Sequence, residues 1–128
     1  MRRTTRDLLL TLCLWLSLGN VLAFAALDPI TNFAETTMST GYDAAATSVI
    51  VAAGTGSKFP SSYTYPLVWW NCTDYNRASA DPNVEIVTVT NRSGDTFTIS
   101  RGQEGTSAVT HNTAGKTYCF ELNLTKGM

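Results

Sequence analysis

From residue 35 onward, apolar and polar positions alternate in short runs, and no stretch keeps a helical period. Threonine, valine, isoleucine and tyrosine concentrate at 35–39, 48–52, 66–71, 84–90, 96–101 and 117–124. Between them fall clusters of glycine, asparagine, aspartate and serine at 41–43, 54–58, 74–83, 92–94, 102–105 and 112–115. Short strands broken by polar turns predict an all-β fold, a small antiparallel β-barrel or sandwich occupying 35–128 as one domain.

The run from Glu85 to Arg101 predicts a hairpin whose register can be tested, because paired strands must share a face. A three-residue loop at 92–94, with Gly94 left-handed, sets Val89 against Phe97, Val87 against Ile99, Thr88 against Thr98 and Glu85 against Arg101. A two-residue loop at 93–94 would set Thr90 against Phe97, mixing polar and apolar residues on one face. The three-residue loop is therefore expected, with Val87, Val89, Phe97 and Ile99 facing the core. Arg101 then reaches Glu85 across the pair, and Gly102 and Gly105 supply the positive φ of a tight reversal around Gln103 and Glu104.

Ahead of this domain the pattern changes. Arg2, Arg3 and Arg6 precede an apolar run from Leu8 to Leu22, and Ala23-Phe24-Ala25 offers a small-x-small cleavage site after Ala25. Residues 1–25 thus read as a signal peptide, or as an N-terminal membrane-anchor helix if uncleaved, and 26–34 as an irregular lead-in. Any membrane contact would run through this segment alone.

Loss of the leader leaves 103 of the 128 residues, enough for one modest core, with six cations against nine carboxylates. A formal charge of −3 and no basic cluster past residue 6 argue against a nucleic-acid surface. Cys72 and Cys119 would be each other's only intramolecular partner in an exported chain, and a disulfide and two buried thiols are the two readings.

Reactive chemistry finds little support. His111 is the single histidine, no nucleophile elbow is present, and His111 is expected to close a turn with Asn112. No metal-ligand spacing and no cofactor motif occur, so no metal, no cofactor and no catalytic residue are assigned. The aromatic stretch YTYPLVWWNCTDY is the strongest hint of a binding surface. Neighbouring Trp69 and Trp70 on a strand must point to opposite faces. One enters the core, and the other is either exposed near Tyr63 or Tyr75, where it could stack on a glycan, or covered by a loop.

The run YPLVWWNCTDY, followed by DPNVEIVTVTNRSGDTFTISRGQEGTSAVTHNTAGKTY, resembles a small β-module of tailed-bacteriophage virion proteins of the tail-fibre and tail-associated type. The matching positions are Trp70, Asn71 and Thr73; Asp81, Pro82, Asn83, Glu85, Ile86 and Val87; Gly94, Asp95 and Thr96; Arg101, Gln103, Glu104, Gly105 and Thr106; and His111 with Gly115. The likeness covers nearly all of 35–124, and R-G-Q-E-G-T is its most specific part. It implies a non-enzymatic structural component located in the virion, partnered by other virion proteins in an oligomeric assembly. The apolar leader departs from that group, whose members assemble in the cytoplasm. It fits the alternative, an exported or surface-anchored β-domain that binds glycan or a surface.

Overall fold

The computed structural model describes residues 33–123. The leader, the Ala25 cleavage point and most of the lead-in segment lie outside them.

Six strands form where β-branched and aromatic residues concentrate: β1 (Glu35–Thr37), β2 (Ser48–Ile50), β3 (Tyr65–Asn71), β4 (Glu85–Ser93), β5 (Thr96–Gln103) and β6 (Tyr118–Glu121). They build one antiparallel sheet in the order β1-β6-β3-β4-β5-β2. A bridge between Met38 and Val51, flanked by Ser39 N–H donating to Ile50 O (3.0 Å) and Ala52 N–H to Thr37 O (2.8 Å), draws the outermost strands together. The sheet is accordingly a curled half-barrel. Among the described residues the remaining regular pieces are two single 3-10 turns, Gly56–Lys58 and Ala78–Ala80.

Strand alternation turns Val49, Leu67, Trp69, Val87, Val89, Phe97 and Phe120 inward, and all are fully buried. Phe59 caps this core, meeting Phe97 edge-on at 5.4 Å. A smaller cluster lies on the opposite face, where Val68, Trp70 and Cys119 are buried beneath Cys72, Tyr75, Ala78 and Val84. Cys72 and Cys119 are disulfide-bonded, with Cα atoms 5.8 Å apart and a sequence separation of 47. Closing so long a loop in the unfolded chain is worth about 4 kcal/mol of stability in the chain-entropy model.

The hairpin departs from the expected register. Ser93 pairs with Thr96, so the turn is Gly94–Asp95, with Gly94 at φ 58°, and not the three residues 92–94. Moving away from the turn, Arg92 faces Phe97 and Asn91 faces Thr98; Thr90 is then an extra residue in β4, and Val89 faces Ile99. A second irregularity, between Ile86 and Thr88, leaves the extra residue in β5. None of the four expected ladder pairs forms, yet Val87, Val89, Phe97 and Ile99 all point inward. Alternation fixes only which residues share a face, and a bulge restores that parity after the turn has shifted. The shift has a tertiary cause: the Asp95 carboxylate accepts N–H bonds from Gly54 and Gly56, both at 2.8 Å, which requires Asp95 in the turn itself.

Candidate functional site

Glu85 opens β4 on the inward face, and its side chain is completely buried. A buried carboxylate is costly unless its oxygens are hydrogen-bonded and its charge is matched. Arg101, at the bulged end of β5, donates Nε–H to Oε1 at 2.7 Å and Nη2–H to Oε2 at 2.8 Å. Gly102 N–H reaches Oε1 at 2.9 Å, and Val109 N–H reaches Oε2 at 3.2 Å. His111 Nε2 lies 3.1 Å from Oε2, and since the carboxylate is ionised, Nε2 carries the proton and donates.

Arg101 is equally engaged. Nη1 donates to Asp43 O (2.8 Å) and Ala46 O (3.0 Å), and Nη2 also donates to Val109 O (2.6 Å). All of its guanidinium N–H groups therefore have acceptors. Its Cζ sits 4.7 Å from the Trp69 ring centroid, and the His111 ring stacks on the same indole at 4.2 Å and 26°. Burial pushes the Glu85 carboxyl up, but the bonds from Arg101, His111, Gly102 and Val109 outweigh it and hold the pKa at about 2.

The glycine-flanked stretch supplies the path. Gly102 takes φ 59°, where a Cβ would press on Ala108 N at 3.0 Å. Glu104 at φ 53° and Gly105 at φ 87° then reverse the chain. Thr106 Oγ1 donates to Gln103 O at 2.8 Å and accepts Ile86 N–H at 3.0 Å, while Gln103 Nε2 donates to Arg101 O at 2.7 Å. The returning strand of chain carries Val109 over Glu85 and brings His111 into a two-way bridge with Tyr42, at 2.8 and 2.9 Å.

Chemically this cluster is a strut. The five donors around Glu85 occupy its lone pairs, and the side chains of Glu85, Arg101 and His111 are 0%, 7% and 1% exposed. It ties β4 and β5 to the loop at 43–46 and to the segment reaching His111. His111 does not close an exposed turn with Asn112, as its sequence position suggests; the Tyr42 bridge turns its ring inward. Glu85 and Arg101 do meet, but across a bulge in the interior, with three backbone carbonyls sharing the guanidinium.

Of the two alternatives for the second tryptophan, exposed or covered by a loop, the structure takes the covered one, and no shared aromatic surface of Trp69, Trp70, Tyr63 and Tyr75 forms. Trp69 and the half-buried Tyr63 belong to the inner core, and Trp70 and the half-buried Tyr75 to the outer cluster. Trp70 is only 5% exposed because the segment from Cys72 to Val84 folds over it. Both indole N–H groups lie buried with no acceptor. Among the described residues no group of three or more His, Cys, Asp or Glu side chains gathers as a metal site would require.

Two anchoring carboxylates were not singled out for this role by the sequence. Asp95 holds the 54–56 loop, and Asp81 accepts Asn71 N–H and Asn83 N–H, both at 2.8 Å. The Asp-Pro-Asn turn could have suggested the second of these bonds but not the first. Comparison with models of protein families and with curated proteins returns no match for this chain.

Proposed function

We propose that the chain is a non-enzymatic structural module of a phage or prophage virion, of the tail-fibre, tail-associated or decoration type, acting by protein-protein contact. One observation carries the reading: Arg101, Gln103, Thr106, Glu85 and His111 are all engaged in internal hydrogen bonds. These are also residues on which the resemblance to virion β-modules rests. Side chains that an enzyme would keep free for a substrate are used here to fix the course of the backbone. The module then offers its partners a braced surface, including Ile50 on outer strand β2, 48% exposed, and Phe33 ahead of β1, 73% exposed.

The test is fractionation. Particles and tails released from a host carrying this gene are separated by density and digested, and peptides from 33–123 are expected in the particle fractions at a fixed ratio to major structural proteins. Recovery solely as a free monomer in the soluble lysate overturns the reading.

A further inference from the structure

We infer that the segment 72–84 is a lid over Trp70, held shut by the Cys72–Cys119 bond and released when that bond is reduced.

The lid is a distinct layer. The outer cluster is covered by Cys72, Tyr75, Ala78 and Val84, all from this one segment, whereas the main core lies on the other side of the sheet. Its middle is lightly held. Tyr75 N–H donates to Asn71 O at 3.3 Å, and the Ala78–Ala80 turn bonds to itself and to its flanking residues. The stems are held more firmly: Thr117 N–H donates to Thr73 Oγ1 (2.7 Å), the Asn71 side chain accepts Thr73 and Asp74 N–H and donates to Asp74, Asp81 takes Asn71 N–H, and Asp74 pairs with Lys116 where both are about one-third exposed. An ion pair that open to water contributes little. Cys72 follows Asn71 of β3 directly and its N–H donates to Thr117 O at 3.1 Å, and the disulfide adds a covalent side-chain tie from this first lid residue across to Cys119 on β6.

Closure also has an opposing term. With the lid down, Trp70 Nε1–H is buried without an acceptor, and opening gives it water. Apolar packing of Tyr75, Ala78 and Val84 and the covalent tie must together exceed that cost. Reduction adds two electrons and two protons across the sulfur–sulfur bond to give two thiols, while a dithiol donor closes to its own disulfide. The inner face packs on the other side of the sheet from this bond. Trp69 and Phe120 meet there at 5.0 Å, and β3 and β6 are joined by a backbone ladder that uses neither sulfur, so these contacts are expected to outlast reduction. A reducing cytoplasm would thus leave Trp70 accessible, and an oxidising exterior would cover it.

Tryptophan footprinting of the intact chain, with and without a small dithiol, tests this directly, because adjacent Trp69 and Trp70 are resolved by peptide fragmentation. Labelling of Trp70 is expected to rise on the order of tenfold on reduction, as for local opening, with Trp69 unchanged. Cys72→Ser should label like the reduced protein without any dithiol. Labelling of both indoles together would show that the bond braces the whole fold, and labelling of neither that the lid stays shut; each overturns the inference. Amide exchange at 73–80, read against the β4–β5 hairpin in the same sample, separates lid opening from unfolding should the Cys72→Ser chain fold poorly.

Discussion

Arg101 grips both oxygens of the Glu85 carboxylate, Nε on Oε1 at 2.7 Å and Nη2 on Oε2 at 2.8 Å, inside a domain whose surface would gladly solvate either charge. Such a pair is retained where it fixes geometry, and here it joins β4, β5 and two loops at one point.

Removing half of the pair leaves the other half charged and buried. Glu85→Gln is expected to destabilise the domain by about 3–5 kcal/mol in urea unfolding, because Arg101 loses its countercharge. Arg101→Lys should cost a comparable amount: an ammonium cannot reach two carboxylate oxygens and three backbone carbonyls at once. A loss below about 1 kcal/mol for both would mean that the pair is solvated and does not act as a strut.

Acid should test the same knot. Glu85 titrates near 2 in the folded protein, below its ordinary value of 4.5. A depressed carboxyl contributes stability that is fully present above the unfolded value and is lost as pH falls through the folded one. Wild-type unfolding free energy should therefore drop between roughly pH 4.5 and 2, and Glu85→Gln should show a shallower fall over that window.

Glu121 behaves oppositely. Burial pushes its carboxyl up, and Glu35, its direct cross-strand partner, adds to the shift. A raised carboxyl stabilises the fold below the unfolded value, and that stability is lost as pH rises through the folded value. Glu121→Gln is expected to stabilise the protein at pH 7 by about 0.5–1 kcal/mol, with no gain at pH 3, as thermal melts at the two pH values would report.

Gly56 allows the hairpin tip to dock. A Cβ there would overlap the Gly94 carbonyl oxygen and lie 2.9 Å from Asp95 Cα, both backbone atoms that cannot swing aside. Gly56→Ala should cost about 1–3 kcal/mol or more, seen as a lowered melting temperature. An unchanged melting temperature would show that the 54–56 loop does not hold the turn.

Much of the fold was legible because alternation is a local property. Each of the six predicted strand regions overlaps an observed strand, with β3, β4 and β5 running past the predicted bounds, and the inward set Val87, Val89, Phe97 and Ile99 could be read from period-two patterning alone. Register was not legible. Asp95 chooses the turn through Gly54 and Gly56, about 40 positions away in sequence, and a bulge at Thr90 absorbs the one-residue difference. The site was half legible: charge and turn chemistry brought Glu85 to Arg101, but could not say that the meeting is buried. Nor could His111 be placed, since its burial follows from a bridge to Tyr42 that has no local signature.

The sequence by itself determined the class of fold, the two faces of each strand and the glycine-marked reversals, because these depend on residues within a few positions of one another. Only the tertiary structure decided the hairpin register, the closed network around Glu85 and the covering of Trp70. Each of those depends on contacts between segments far apart along the chain, where a carboxylate or an indole is committed by what packs over it and not by its neighbours in sequence.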